Sequence, residues 1–167
     1  SRLSAFEASV EKWPNAKLIV DSSAPSYIQK FNVHAAVVGA DRVVNNGDTA
    51  NKIGTYALAI HCRSHGIPFF VCAPLTTLDP SIDNGDGITI EQRSKEELIL
   101  ASGAPKDIDC WNPAFDVTPA SLITGIVTER GVIYPNADGT FDVKGFMKSG
   151  VNGKAPSLIP TALLKSN

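Results

Sequence analysis

The chain of 167 residues has few cysteines and no long apolar segment, and both shortages exclude classes of protein. Cys62, Cys72 and Cys110 are odd in number and form no C-x-x-C pair, which argues against a disulfide framework and a thiolate zinc site. We therefore expect a reducing, cytoplasmic location, with which an additional nuclear one is compatible. No run approaches the roughly eighteen apolar residues of a membrane helix, so no membrane partner is expected.

Charge of one sign is not in excess either. The net charge is −2 and both signs are scattered along the chain, so the sequence offers no basic stripe for nucleic acid. Neither a glycine-rich phosphate loop nor a G-x-G-x-x-G motif is present. We therefore expect no nucleic-acid partner and no cofactor.

Length and the apolar content of 43% are sufficient for one folded core. The chain starts Ser1-Arg2-Leu3, without an initiator Met and without the layout of a signal peptide. We expect a soluble chain that is part of a longer protein.

Helical and strand patterns alternate along the chain. Helices are predicted over residues 3–13, 24–31, 51–65 and 119–123, and strands over residues 18–20, 35–38, 69–72 and 88–90. This alternation predicts an α/β fold with a Rossmann-like parallel sheet and flanking helices. We expect residues 1–134 to form this domain and to carry the functional site. Residues 135–167 have no clear period and are predicted to be a hairpin or C-terminal arm followed by a loose tail.

The most informative segment follows the strand at residues 35–38, which is expected to be covered on both faces. Gly39 ends this strand and Asp41 comes directly after it. In parallel sheets small molecules bind beyond the carboxyl ends of the strands, so Asp41 is in the position of a site residue. A carboxyl group at the floor of an apolar cleft would stay protonated and could donate its proton, although a solvated turn is the commoner role of such an aspartate. Arg42 is expected to point to the other side, in a structural or interfacial role.

The next helix is predicted to start at Asp48 or Thr49, with Asp48 as an N-cap. Asn51 and Lys52 would then lie in its first turn, where a lysine is opposed by the helix dipole and gains nothing locally. An anion held by the first N–H groups and the Lys52 ammonium would explain this placement, and a solvated lysine is the plain alternative.

His61 and His65 are four residues apart on the same predicted helix, the spacing at which two imidazoles can share a metal ion. The intervening glutamate of H-E-x-x-H is absent and no third ligand is evident. A solvated helix end is therefore favoured, and we expect no metal site.

Several motifs also resemble a known family. They are G-A-D-R-V at residues 39–43, N-G-D at 46–48, A-N-K-I-G-T-Y at 50–56, I-P-F-F-V-C-A-P at 67–74 and W-N-P-A-F-D-V-T-P at 111–119. Their order is similar to that in the 5-methylthioribose-1-phosphate isomerases, and the resemblance covers roughly residues 1–133.

The resemblance implies an aldose–ketose isomerase of methionine salvage that acts on a phosphorylated sugar. Asp41 matches the family's acid/base residue, and Asn51 and Lys52 match its substrate-binding pair. Transfer of hydrogen as a proton or as a hydride is compatible with these residues. The family's catalytic cysteine belongs to an N-terminal part, so this chain would be the C-terminal domain of a two-domain protein, inactive alone. The family generally forms homodimers.

Two other functions share this scaffold. Regulatory subunits of the translation-initiation exchange factor have the same domain without catalysis, but they generally lack the combination of G-A-D-R-V and N-G-D. A ribose-1,5-bisphosphate isomerase uses the domain on another sugar, and only the closeness of the whole signature argues against it.

Overall fold

The computed structural model describes residues 2–149 of the chain. Within this range helices and strands alternate, largely as predicted. The α-helices span Arg2–Val10 (α1), Ala24–Lys30 (α2), Thr55–Ser64 (α3), Lys95–Ser102 (α4) and Val143–Ser149 (α5). The strands span Ala36–Val38 (β1), Arg42–Val44 (β2), Thr49–Lys52 (β3), Phe69–Cys72 (β4), Leu78–Asp79 (β5), Phe115–Thr118 (β6), Gly125–Thr128 (β7) and Gly131–Ile133 (β8).

The first sheet has the strand order β1-β4-β7-β8. β1, β4 and β7 are parallel, and β8 is added antiparallel to β7. α3 packs against β4 and α2 against α3. The predicted α/β fold with a parallel sheet and flanking helices is therefore confirmed. Full cover of residues 35–38 was wrong, because β1 is an edge strand with one uncovered face and Val37 is 64% exposed.

A second sheet, with the order β5-β2-β3-β6, was not predicted. Two short segments connect it to the first sheet, since residues 39–41 lead from β1 into β2 and residues 73–77 lead from β4 into β5. β2 and β5 are parallel, as β1 and β4 are, whereas β3 pairs antiparallel with both β2 and β6. The carboxyl ends of β1 and β4 therefore face the second sheet.

The prediction that a helix starts at Asp48 or Thr49 was wrong, because residues 49–52 form β3. This strand is paired on both sides, with Ala50 opposite both Arg42 and Val117. The backbone N–H and C=O groups of β3 can therefore form hydrogen bonds with the strands on both sides. A helical turn at this place would lose these inter-strand hydrogen bonds. The helix begins later, at Thr55, after Gly54 with φ of 104°.

Three further differences concern short apolar runs. Residues 18–20 and 88–90 form no strand, and Leu18 is 78% exposed. α4 was not predicted, and all its residues except the half-buried Ile99 are exposed. The helix predicted over residues 3–13 is present as α1, which ends at Val10. Phe6 and Val10 in this helix, and Trp13 after it, face solvent rather than a core. Local patterns indicated apolar character in these segments but not whether another element covers it.

The core extends beyond the predicted domain boundary at residue 134. Phe141, Val143 and Phe146 are buried in the same cluster as the strands of the first sheet. The backbone N–H groups of Phe141 and Val143 donate to the carbonyls of Asn46 and Asn45, at 2.9 and 3.2 Å. Residues 135–149 are thus a packed part of the domain that includes a helix, unlike the expected arm. The rest of the predicted tail lies outside the described residues.

Over residues 2–149, none of the helices combines the length and the apolar character that a bilayer crossing requires.

Candidate active site

Asp41 lies in the segment that joins the two sheets, between β1 and β2. Its N–H donates to the carbonyl of Ala50 over 2.9 Å, which fixes its backbone against β3. The side chain is exposed, and its carboxylate has no hydrogen-bond partner among residues 2–149. Within the described part of the chain, Asp41 is therefore accessible to a ligand but is not at the floor of a closed cleft.

Asn51 and Lys52 form the end of β3, next to Asp41. The register places Ala50 opposite Arg42, so Asn51, the next residue of β3, lies at the same end of the pair at which Asp41 precedes β2. Asn51 is half-buried and Lys52 is exposed. The structure thus brings all three predicted site residues to one end of the β2–β3 pair, although through a strand rather than through the predicted helix.

The corner between β3 and α3 is held by the side chain of Thr55. Its hydroxyl donates to the carbonyl of Lys52 at 2.7 Å and accepts from Nδ2 of Asn51 at 3.0 Å. Thr55 is buried, so this hydroxyl is shielded from competing water. The orientation of Asn51 and the backbone of Lys52 are therefore both tied to the first residue of α3.

Asp116 supplies the anion at the start of α3. Its Oδ2 accepts from the Gly54 N–H at 2.7 Å and its Oδ1 from the Tyr56 N–H at 3.0 Å. A carboxylate at this place satisfies unpaired helix donors and is favoured by the dipole. The prediction that the first helical N–H groups hold a ligand's anion is corrected for Gly54 and Tyr56, since a side chain of the chain itself occupies them.

Asp48 was predicted to cap the next helix, and this was wrong. Its Oδ2 accepts from the Gly85 N–H and from Nδ2 of Asn46, at 2.8 and 2.9 Å, and its Oδ1 accepts from the Ala120 N–H at 2.8 Å. The half-buried carboxylate thus joins the β2–β3 turn to the two 3₁₀ turns Gly85–Gly87 and Ala120–Leu122. Asp48 therefore connects three segments of the chain.

Arg42 has the structural role that was considered for it. Its guanidinium forms an ion pair with Asp79, which joins β2 to β5. The hydrogen bond from the Ser81 hydroxyl, with further bonds from the Ser81 N–H and Arg42, lowers the pKa of Asp79 below its usual value. This carboxylate is held ionised in a structural cluster.

The carboxylate of Glu129 accepts a hydrogen bond at the carboxyl ends of β4 and β7. Glu129 follows β7, and both of its carboxylate oxygens lie within 3.1 Å of the Leu75 N–H that donates to them. The Ala73 N–H donates to Val127 over 2.9 Å. These contacts fix residues 73–75 beside the segment that carries Asp41.

The cysteines and histidines show no sign of a metal centre. Cys62 is buried on α3, and burial raises the pKa of its thiol. Cys72 is exposed and Cys110 half-buried. His61 is on the last turns of α3, and His65 follows the helix as its C-cap. Within residues 2–149, no three side chains of histidine, cysteine, aspartate or glutamate are grouped in a way that would hold a metal ion.

Sequence reasoning missed the roles of Asp116 and Thr55. Asp116 is part of the motif at residues 111–119, but the N–H groups that it accepts from lie 60 and 62 residues earlier. No local pattern reveals such a partner. Thr55 follows Gly54. A prediction that starts the helix after this glycine, at Thr55, would have indicated the role of Thr55 at the corner.

Known proteins are similar to this chain over most of its length. The model of the Initiation factor 2 subunit family matches residues 5–135. The methylthioribose-1-phosphate isomerase of Zea mays is 54% identical over 154 residues, which cover 88% of this chain and 42% of that protein. The crystal structure of 5-methylthioribose 1-phosphate isomerase from Pyrococcus horikoshii OT3 is similar with a TM-score of 0.74 and 51% identity, over 80% of this chain and 38% of that one.

A second similar solved structure is that of a translation initiation factor subunit. The translation initiation factor eIF-2B subunit delta from A. fulgidus is similar with a TM-score of 0.75 and 40% identity, over 84% of this chain and 41% of that one. The chain spans about two fifths of the length of each of these relatives.

Proposed function

Since the chain belongs to the Initiation factor 2 subunit family, we propose that it is the C-terminal, site-bearing domain of an aldose–ketose isomerase. The enzyme would convert 5-methylthioribose 1-phosphate to 5-methylthioribulose 1-phosphate, a step of methionine salvage. The observation that carries this proposal is that Asp41, Asn51 and Lys52 lie at the same end of the β2–β3 pair. The chain that holds them is 54% identical, over 154 residues, to a protein named methylthioribose-1-phosphate isomerase.

Asp41 is proposed as the acid and base of the reaction. A phosphate on O1 blocks ordinary opening of the sugar ring, so a group must donate a proton to a sugar oxygen before hydrogen moves between C1 and C2. The Asp41 carboxyl has no competing partner among residues 2–149, unlike Asp48, Asp79 and Asp116, which all accept hydrogen bonds from the chain. It is the carboxyl at the junction of the sheets that is available for this task.

Asn51 and Lys52 are proposed to bind the phosphorylated sugar. The Lys52 ammonium makes no salt bridge within the described residues and lies on the exposed end of β3, next to Asp41. Asp116 already accepts hydrogen bonds from two N–H groups at the start of α3, those of Gly54 and Tyr56. The positive charge that binds the phosphate at this corner would therefore be that of the Lys52 ammonium.

The regulatory subunits remain the second candidate function. The fold is equally similar to an eIF-2B delta subunit and to the isomerase, with TM-scores of 0.75 and 0.74, so the fold is compatible with both functions. Sequence identity favours the isomerase by 51% to 40% in the same two structures. A ribose-1,5-bisphosphate isomerase is a further alternative within catalysis, and the choice of substrate separates it from the first proposal.

The partners would complete the site. We propose that an N-terminal part of the same protein supplies the catalytic cysteine and covers Asp41, and that the protein forms a homodimer. Large apolar side chains that the described residues leave open support such contacts: Leu100 is 85% and Trp111 is 79% exposed. A cytoplasmic location, with or without a nuclear fraction, fits the three unpaired thiols.

Turnover is the decisive test. The complete protein, which joins the N-terminal part to this chain, is incubated with 5-methylthioribose 1-phosphate, and the ketose product is followed by NMR. We expect conversion of this substrate, much slower conversion of ribose 1,5-bisphosphate, and none by residues 1–167 alone. Absence of turnover of both sugars by the complete protein would move the regulatory function ahead.

A further inference from the structure

We infer that Asp116 is a positioning residue, which holds the strand end that carries Asn51 and Lys52 in the geometry needed to bind substrate. This inference rests on the proposed function, because it concerns how the same site is held. It is carried by the hydrogen bonds at the β3–α3 corner, and not by any contact of Asp116 with a ligand.

Asp116 is placed directly beside the site by strand pairing. β6 runs antiparallel to β3, and Asp116 lies opposite Asn51, as Phe115 lies opposite Lys52. From this position its carboxylate reaches past the strand end to the N–H groups of Gly54 and Tyr56. One side chain therefore connects the paired strand to the start of α3.

The corner itself has little else to hold it. Gly54 has φ of 104° and open space where a Cβ would be, so neither side-chain packing nor backbone preference fixes it. Beyond the Asp116 bonds, the corner has the Ile53 N–H to the Ala114 carbonyl at 3.1 Å, the Leu58 N–H to the Gly54 carbonyl at 3.1 Å and the Thr55 hydroxyl bonds. Loss of the Asp116 carboxylate would release Gly54 and the first turn of α3 together.

Movement of this corner would reach both substrate-binding residues. Thr55, the first residue of α3, holds the side chain of Asn51 and the carbonyl of Lys52. A shift of α3 therefore changes where the Asn51 amide and the Lys52 ammonium are presented. Misplacement of a binding group by about 1 Å can lower efficiency by up to roughly 10²-fold.

The test compares two carboxylates in the complete protein. Asp116→Asn removes an acceptor at the corner, whereas Asp48→Asn removes one at the opposite end of β3, where the carboxylate also accepts backbone N–H groups. We expect Asp116→Asn to raise KM for 5-methylthioribose 1-phosphate about 10-fold or more, with kcat changed only a few-fold, as for loss of uniform binding. Asp48→Asn should leave both constants near those of the parent.

Two further variants separate positioning from general destabilisation. Thr55→Val keeps the shape of the side chain but removes its hydroxyl, and it should raise KM in the same direction even if Asp116→Asn folds poorly. In a Lys52→Ala background, Asp116→Asn should add less to KM than it adds in the parent, because one of the two contacts that it misplaces is already absent. Full additivity with Lys52→Ala, or equal KM values for Asp116→Asn and Asp48→Asn, would overturn the inference.

Failure of the proposed function would be recognised separately. If the parent does not turn over the sugar, amide hydrogen exchange of residues 1–167 decides the inference alone. Asp116→Asn should then accelerate exchange at Gly54 and Tyr56 and also at Ile53, whose N–H it does not touch, whereas Asp48→Asn should not. Unchanged protection of Ile53 would show that Asp116 does not hold the corner.

Discussion

The N–H of Asp41 donates a 2.9 Å hydrogen bond to the carbonyl of Ala50. Asp41 is thereby held against the strand whose next two residues are Asn51 and Lys52, at the point where the chain leads from the first sheet into the second. The proposed acid and the proposed binding pair thus lie on two backbone segments that are hydrogen-bonded to each other, which is favourable for keeping a catalytic group and a binding group at a constant separation.

Asp41→Asn in the complete protein should abolish turnover while it keeps the fold. The amide matches the carboxyl in size but cannot release a proton, and general acid–base catalysis contributes about 10²–10⁴-fold. We expect a loss of at least that order in kcat and an unchanged melting temperature, because the carboxylate is exposed and has no hydrogen-bond partner within residues 2–149. Turnover within a few-fold of the parent would reduce Asp41 to a turn residue.

Lys52→Ala should weaken binding of a non-reactive phosphorylated sugar analogue by about 1.5–3 kcal/mol, the range of hydrogen bonds to charged groups. Calorimetric titration measures this directly. Lys144→Ala is the matched control, since Lys144 is also an exposed lysine but lies on α5. Equal affinities for the two variants would return Lys52 to the role of a solvated surface residue.

Asp48→Asn should lower stability without loss of catalysis. The amide offers one oxygen where the carboxylate serves Gly85 and Ala120 with two, so a partly buried donor loses its partner. We expect the free energy of unfolding to fall by about 1–3 kcal/mol in a urea titration. The same change at the exposed Asp83 should have little effect, and a similar loss at both positions would show that Asp48 is not a special connection.

Gly47→Ala should destabilise the domain more than Gly139→Ala. Both glycines have positive φ, 94° and 83°, so both variants incur the cost of about 1 kcal/mol for a left-handed residue with a Cβ. Only at Gly47 would the new Cβ meet the buried ring of Phe141, whereas the space at Gly139 is open. Thermal melting compares the pair, and equal melting temperatures would indicate that Phe141 is not packed against this turn.

Acid sensitivity should depend in part on Asp79. Hydrogen bonding, first from the Ser81 hydroxyl, lowers the pKa of Asp79 in the folded chain. The ionised Asp79 therefore stabilises the fold above its pKa in the unfolded chain, and this stabilisation is lost as the pH falls through its pKa in the folded chain. The advantage of the parent over Asp79→Asn in melting temperature should therefore shrink between about pH 6 and about pH 3. A difference between Asp79→Asn and the parent that stays constant over this pH range would contradict the prediction.

The sequence by itself determined the parallel sheet and the place of Asp41. The apolar runs at residues 35–38 and 69–72 are short, are bounded by glycine or proline, and flank an amphipathic segment, so strand and helix follow from composition and spacing alone. Since a parallel strand must be followed by a connection at its carboxyl end, the position of Asp41 directly after β1 was predicted without any structure, whereas its exposure was not.

Tertiary structure alone decided residues 49–52 and the packing of residues 135–149. Polar Thr49, Asn51 and Lys52 resemble a helix start locally, but pairing with β2 and β6 makes them a strand, and β6 lies more than sixty residues further along the chain. Phe141 and Phe146 are two apolar residues in a segment without a period, and their burial depends on the space left beside distant strands. Local patterns report the character of a segment, whereas hydrogen-bond partners and packing neighbours far along the chain decide its conformation.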